Sequence, residues 1–292
     1  MPAKRKSYPL HQSRFFKLRT RKKLAELLKL TPSDLRKLAA AADGLYSEFD
    51  VPKKSGGQRG VENPRRDLKL VQRTIARLLA RVSPPDYLFC PVKGRCYVSN
   101  AGQHRGQRVV HCLDVRKYFP STPSKRVFWF FRTIMLCEID VAATLTSLAC
   151  YRGHLPTGSP LSPIMAYFAH YDVWETIAAK CKAHGYRLTV YIDDVTISGA
   201  TINPRVIWDI KQAIHRSGLR YHKEKRFIDR PAEITGVVVR GDRLLPPNRQ
   251  LKKLNETRRA LRSRQPIPPA AERELQDRLS GLKGQMAQIA NV

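Results

Sequence analysis

The sequence lacks any run of about eighteen apolar residues, so no segment reads as a membrane-spanning helix. Its N-terminal stretch, MPAKRKSYPLHQSRFFKLRTRKK, lacks the apolar centre of a secretory signal. Its six cysteines (90, 96, 112, 137, 150 and 181) form no C-x-x-C pair and no ligand-like spacing with the eight histidines. They read instead as buried, reduced thiols of a cytosolic protein. Acidic residues are scarce: 24 Asp and Glu stand against 54 Lys and Arg, a formal charge of +30. Solvated faces usually mix signs, so this one-signed excess points to a polyanion, nucleic acid before any other. Neither end pairs its charge with a strongly apolar helical face, which argues against a membrane surface.

The chain of 292 residues, 42% apolar, can bury a core as one large domain or two modest ones. The basic excess is densest at the two ends. Residues 1–30 hold ten Lys or Arg and one Glu, and residues 240–264 hold nine and two acids. Leu24, Leu27, Leu28, Leu35 and Leu38 predict helices within 1–45, with a fresh start at Thr31-Pro-Ser-Asp. Residues 46–62 read as two extended pieces around a Lys-Lys-Ser-Gly-Gly turn, and 68–81 as an amphipathic helix. A strand at 108–113 delivers Asp114, and helical patterns follow over 123–149. Ser162-Pro163 opens one long helix to about His184. Beyond an Asp-Asp hairpin come a helix at 204–217, short strands near 219–245, and two helices at about 248–264 and 269–290. No internal repeat is evident. The order predicts an α+β fold with a small helical tail.

The most informative segment is Arg187-Leu-Thr-Val-Tyr-Ile-Asp-Asp-Val-Thr-Ile-Ser-Gly199. Leu188, Val190 and Ile192 lead in with period two, and Val195 and Ile197 lead out, so Asp193 and Asp194 sit at a hairpin tip. Turn chemistry accepts one Asp and prefers Gly beside it. Two carboxylates there repel each other, and a hard divalent cation is the usual compensation. Asp114, just past an apolar strand, can join them across one sheet. Three such carboxylates suit two-metal phosphoryl chemistry.

Several segments carry a resemblance in the correct order. YIDD (191–194) looks like the Y-x-D-D signature of reverse transcriptases. LDVRKYFPS (113–121), LPTGSPLSPIMAYFAHYD (155–172) and GLRYHKEK (218–225) resemble their motifs A, B and D, and VPKKSGGQRGVENP (51–64) their fingers. SNAGQH (99–104) is similar to the N-A-x-x-H element of retron reverse transcriptases, and ITGVVVRGDRLLPP (234–247) to their V-T-G element.

The resemblance implies a right-hand polymerase fold. Its parts would be a basic helical N-terminal extension (1–45), fingers and palm (46–240) and a basic helical thumb (241–292). It implies a metal-binding triad of Asp114, Asp193 and Asp194, with Val115 as a further ligand, holding two Mg²⁺ ions or Mn²⁺ in their place. Phe119 matches the bulky residue that excludes a 2′-hydroxyl. Lys53, Lys54 and Arg59 match the triphosphate clamp, Thr157 and Gly158 the nucleotide-side loop, and Lys225 a proton donor to pyrophosphate. Asn100 and His104 are given an RNA-handling role, with backbone pinning by Asn100 as the alternative. His111, Trp129, Trp174 and Trp208 read as packing residues. Arg249, Lys252, Lys253, Arg258, Arg259, Arg262 and Arg264 would grip a duplex backbone, many of them on one helical face.

The implied activity is RNA-directed DNA synthesis from dNTPs on a cognate structured noncoding RNA. Priming from a guanosine 2′-hydroxyl would give a branched RNA–DNA product (msDNA). Such systems act in bacterial antiphage defence with a separate effector protein, in the cytoplasm, and at this length no nuclease, integrase or maturase extension is expected. Two other classes stay open: a reverse transcriptase of group II intron or abortive-infection type, and a non-catalytic RNA-binding scaffold. Thr157 replaces the Gln of L-P-Q-G, and Tyr167 the Asn of S-P-x-x-x-N, so altered nucleotide selection, fidelity or speed is expected.

Overall fold

Short polar side chains set the first helix starts. Thr20 Oγ1 accepts from the Lys23 N–H and opens α1 (Arg21–Leu28), and Thr31 Oγ1 accepts from Asp34 to open α2 (Pro32–Ala41). Leu24, Ala25, Leu28 and Leu35 join Phe15 and Leu18 in the main core, so the described part of this basic segment packs into the body. The computed structural model describes residues 7–52, 56–263 and 268–291; Lys53, Lys54 and Arg264 lie outside them.

An antiparallel hairpin, β1 (Tyr46–Pro52) and β2 (Gln58–Pro64), sets Val51 opposite Arg59. α3 (Arg66–Leu79) buries Leu68, Val71, Ile75, Leu78 and Leu79 on one stripe. Within that stripe Gln72 is fully buried. Its amide donates to Tyr46 Oη (2.8 Å) and the Leu148 carbonyl (2.9 Å), and accepts from Ser159 Oγ (2.7 Å). β3 (Leu88–Cys90), α4 (Tyr97–Gly102) and β4 (Val109–Val115) follow. α5 (Ser124–Trp129) runs through a π-helical turn at Phe130–Ile134, and α6 (Ile139–Ala149) comes after it.

The single long helix expected from Ser162 is two. α7 (Ser162–Ala169) and α8 (Tyr171–Ala183) break at His170, whose backbone leaves the helical region and whose ring is buried with Nε2 3.2 Å from Thr122 Oγ1. Ser162 does not cap α7 either, because its Oγ donates to the Pro156 carbonyl (2.6 Å).

β5 (Arg187–Tyr191), β6 (Asp194–Gly199), α9 (Pro204–Arg216) and β7 (Tyr221–Ile228) complete the central sheet, ordered β3-β5-β6-β4-β7. Only the β3–β5 pair in it is parallel. β8 (Ala232–Ile234), β9 (Val237–Arg240) and β10 (Arg243–Leu245) form a small antiparallel sheet, and α10 (Asn248–Leu261) and α11 (Pro269–Ala290) follow. No helix among the described residues is long and apolar enough to cross a membrane.

Alternation along the central strands gives the sheet two unlike faces. Leu113, Val115, Leu188, Val190, Val195 and Ile197 point into the main core. On the opposite face, Val110 joins a second cluster with Val98 and Ala101 of α4, Ile234, Val237 and, from α11, Ile289. Farther along that same face the apolar residues give way to Thr196, Asp114 and Asp194. Trp174 is fully buried, but Trp208, expected to pack, is 59% exposed on α9.

Candidate active site

Asp114 is the sixth residue of β4 and stands directly opposite Asp194, the first residue of β6. Tyr191 faces Asp194 from the other side, so the link from β5 to β6 is the two-residue turn Ile192-Asp193. Ile192 is thus in the turn and not on the strand, and its φ is +58°. A left-handed first position is where a hairpin of this length ordinarily takes glycine. A β-branched residue there stores on the order of 1–3 kcal/mol of strain. The Val115 N–H donates to the Asp193 carbonyl (2.9 Å), tying the turn to β4.

The electrostatics match the crowding. Burial, then repulsion by Asp193 and Asp114, pushes the Asp194 carboxyl up from 3.8 to about 6. Burial, aggravated by Asp114, also raises Asp193, while Arg59 and His222 partly offset it. Arg59 of β2 is therefore brought within electrostatic reach of the turn. His222 Nδ1 is 3.5 Å from Asp114 Oδ1. Among the described residues no three His, Cys, Asp or Glu side chains already converge as a cage. The donors nevertheless suit a hard divalent cation: three carboxylates, two of them under mutual repulsion, with the rest of the shell open to water or phosphate. Val115 follows Asp114 directly as the last residue of β4.

Beside the carboxylates is a cavity of about 420 Å³ walled by Asp114, Asp194, Lys223, Lys225, Thr235 and Arg249, among others. Lys225 lies opposite Cys112 and Lys223 opposite Asp114, both on the carboxylate face. Arg249 does not stand free with the other cations of α10. It pairs with Glu233 at 2.5 Å and holds that carboxyl below its ordinary range. Lys252 is 3.9 Å from Glu256, both well exposed, whereas Lys253, Arg258, Arg259 and Arg262 project into solvent.

Phe119 is half-buried against the main core beside Tyr118, at 5.9 Å between ring centres. Thr157 and Gly158 are committed to β2. Thr157 Oγ1 donates to the Gly60 carbonyl (3.0 Å) and accepts from Glu62 N–H (3.1 Å), and the Gly158 N–H donates to the Glu62 carbonyl (3.1 Å). Tyr167 is a core residue, 3% exposed, with its hydroxyl 3.2 Å from that of Tyr87.

One expectation needs correction. Asn100 and His104, expected to handle RNA, are 1% and 0% exposed, so neither can touch a nucleic acid. His111, expected to be structural, is buried with Nδ1 3.7 Å from Glu224 Oε1. Sequence reasoning missed Glu62, His222 and Lys223. Only the alternation along β7 could have placed Lys223 on the Asp114 face, and the bulge at Asp114/Val115 hides His222 from that rule.

Residues 51–239 match the family model described as reverse transcriptase (RNA-dependent DNA polymerase). The chain belongs to the reverse transcriptase family. That family works with divalent metal ions, in keeping with the carboxylate set. Among similar curated proteins, the retron Mx65 reverse transcriptase of Myxococcus xanthus is 32% identical over 223 residues, 66% of this chain and 51% of that one. The retron Se72 reverse transcriptase of Salmonella heidelberg is 31% identical over 155 residues, 52% of this chain and 41% of its own. The retron Ec86 reverse transcriptase of Escherichia coli is 26% identical over 74% of this chain and 70% of its own. These relatives of the reverse transcriptase are of the retron type, and the chain spans about half the length of the first two.

Proposed function

We propose that the chain is a retron-type RNA-directed DNA polymerase that copies part of a cognate structured noncoding RNA into DNA. Priming from an RNA 2′-hydroxyl would give a branched msDNA, made in antiphage defence alongside a separate effector protein. The observation that carries the reading is the register pairing of Asp114 with Asp194 beside the strained Ile192-Asp193 turn. In this reading residues 1–45 are a basic N-terminal segment, 46–240 the fingers and palm, and 241–292 the thumb.

Asp114, Asp193, Asp194 and the Val115 carbonyl would hold Mg²⁺, or Mn²⁺ in its place. When bound, the ions supply activation of the primer hydroxyl and charge neutralisation on the departing pyrophosphate. Arg59, within electrostatic reach of Asp193, would contact the triphosphate in bidentate fashion, with Lys53 and Lys54 as further cations. Phe119 would fill the space a ribose 2′-oxygen needs. Lys225, on the carboxylate face of β7, would hand a proton to pyrophosphate. Thr157 holds the loop to β2 and so acts on the nucleotide indirectly.

The decisive experiment is to identify the nucleic acid that copurifies with the protein from its native host. A species degraded in part by RNase and in part by DNase, joined through a 2′-branch, is the expected result. Bulk cellular RNA alone would sink the retron reading.

The exposed cations of α10 make a second expectation. Arg258→Ala with Arg262→Ala should weaken binding of structured RNA, most strongly at low salt. It should also flatten the slope of log affinity against log salt by about one for each phosphate no longer neutralised. Binding isotherms between about 50 and 200 mM salt test it; an unchanged slope would remove these residues from the interface.

A further inference from the structure

Of the two elements that resemble those of retron reverse transcriptases, Asn100-Ala-Gly-Gln-His104 packs both on Ile234-Thr-Gly236 and on the hairpin that carries Asp193 and Asp194. His104 Nδ1 lies 2.6 Å from Ser198 Oγ and its Nε2 2.8 Å from Thr189 Oγ1. Ser198 belongs to β6 and Thr189 to β5, the two strands that carry Asp193 and Asp194 at their tip. Both hydroxyls are on the carboxylate face, and Thr189 is one same-face position behind Tyr191, the partner of Asp194. On the other side, Asn100 Nδ2 donates to Thr235 Oγ1 (3.3 Å), and that hydroxyl donates to the Tyr97 carbonyl (3.0 Å). Thr235 has φ +46° and Gly236 φ +87°, and both line the cavity across from Asp114 and Asp194.

We propose that His104 is a positioning residue of the active site, whose ring clasps the two strands of the catalytic hairpin and, through the Asn100–Thr235 contact, ties them to the turn on the far cavity wall. This rests on the polymerase reading of the carboxylates. The physical need is local. The hairpin carries a left-handed isoleucine and adjacent repelling carboxylates, and such strain persists only where the surroundings over-determine it. The Val115-to-Asp193 hydrogen bond restrains the turn from β4. His104 restrains the strands from the sheet face.

The residue type fits the task. A rigid imidazole presents polar atoms on two sides of one plane and so reaches both strands at once, whereas a side-chain amide carries both at one end. Full burial keeps the ring neutral, with its protonation pushed down to about 3. One nitrogen then donates and the other accepts, and the two hydroxyls complement either tautomer. The same burial explains why an RNA-contact role fails for this element.

The test compares His104→Phe, which keeps a ring but removes both hydrogen bonds, with His104→Gln, which can keep one. Primer extension with Mg²⁺ gives kcat and the dNTP KM, RNA affinity is measured in parallel, and hydrogen exchange follows the amides of 187–199 and Val115. His104→Phe should lower kcat by ~10–100-fold with little change in KM, since a displacement of about 1 Å costs roughly that much. RNA affinity should hold, hairpin exchange should accelerate, and His104→Gln should recover part of kcat. Unchanged kcat and exchange would overturn the proposal, as would weakened RNA binding with kcat retained at saturating RNA. If His104→Phe fails to fold, Ser198→Ala and Thr189→Val each remove one bond and carry the same expectations. A wild-type protein inactive with Mg²⁺ would defeat the polymerase reading instead, and hairpin exchange in the variants still decides the clasp.

Discussion

Replacing Asp194 with Asn is expected to abolish primer extension while making the metal-free protein more stable at neutral pH. The carboxylate is lost from the register pair with Asp114, so activity should fall by at least ~10²–10³-fold. The stability gain follows from the same crowding. Asp194 titrates at 3.8 when free and at about 6 in the fold, because burial and its two acidic neighbours oppose its charge. The folded protein therefore binds this proton more tightly than the unfolded chain. Its contribution to stability is greatest below the ordinary carboxylate range. It is lost as pH rises from about 4 to about 6, leaving a penalty at pH 7. A shift of this size corresponds to roughly 3 kcal/mol at most, and partial solvent access reduces it to ~1–2 kcal/mol. Asn removes that penalty and relieves Asp193 as well. Thermal unfolding of both proteins in chelator, at pH 5 and 7, should show a higher Tm for Asp194→Asn chiefly at pH 7. Added Mg²⁺ should stabilise the wild type and largely spare the variant. A Tm that falls on substitution, or an unimpaired polymerase, would refute the picture of an electrostatically loaded metal site.

Much of this site was legible because its residues are close in sequence and obey simple periods. Leu188, Val190, Val195 and Ile197 alternate, and the gap between them could only be a turn with carboxylates. Even there the period misled at Ile192, which continues the alternation in sequence but occupies the turn. A β-branched residue at positive φ contradicts the local preferences from which turns are read. The break at His170 was hidden for a related reason: no Gly or Pro marks it, and it is made by burial of a ring against Thr122, 48 residues away in sequence. Trp208 was legible and misread. Val206, Ile207, Ile210 and Ile214 form the buried stripe of α9, and about 100° per residue puts Trp208 roughly opposite it. The roles of Asn100 and His104 could not be read at all. Their partners lie 135, 94 and 85 residues downstream, and only the folded sheet brings them together.

Gly158→Ala is expected to raise the dNTP KM by more than any substitution of Thr157 beside it. A Cβ at Gly158 would meet the Glu62 carbonyl oxygen at 2.6 Å and the Asn63 Cα at 3.0 Å, both backbone atoms of β2. Neither side can retreat cheaply. The loop is pinned by Ser159 to the buried amide of Gln72 and by Ser162 to the Pro156 carbonyl. β2 is pinned by Glu62, whose carboxylate accepts from the Thr157 N–H (3.1 Å) and lies 2.9 Å from His154 Nε2. Overpacking of this kind costs about 1–3 kcal/mol. The softer element is the two-stranded hairpin, so the clash should be relieved by moving β2 and Arg59 away from Asp193. Since Arg59 is the proposed triphosphate ligand on that strand, KM should rise ~10-fold or more, by analogy with the removal of one charge-assisted hydrogen bond. Thr157→Val removes two hydrogen bonds without a clash and should have a smaller effect, and Thr157→Ser should be near wild type. Steady-state primer extension with the three variants decides it. A wild-type KM in Gly158→Ala would mean that the hairpin tolerates displacement without losing the nucleotide, and that Arg59 does not hold it.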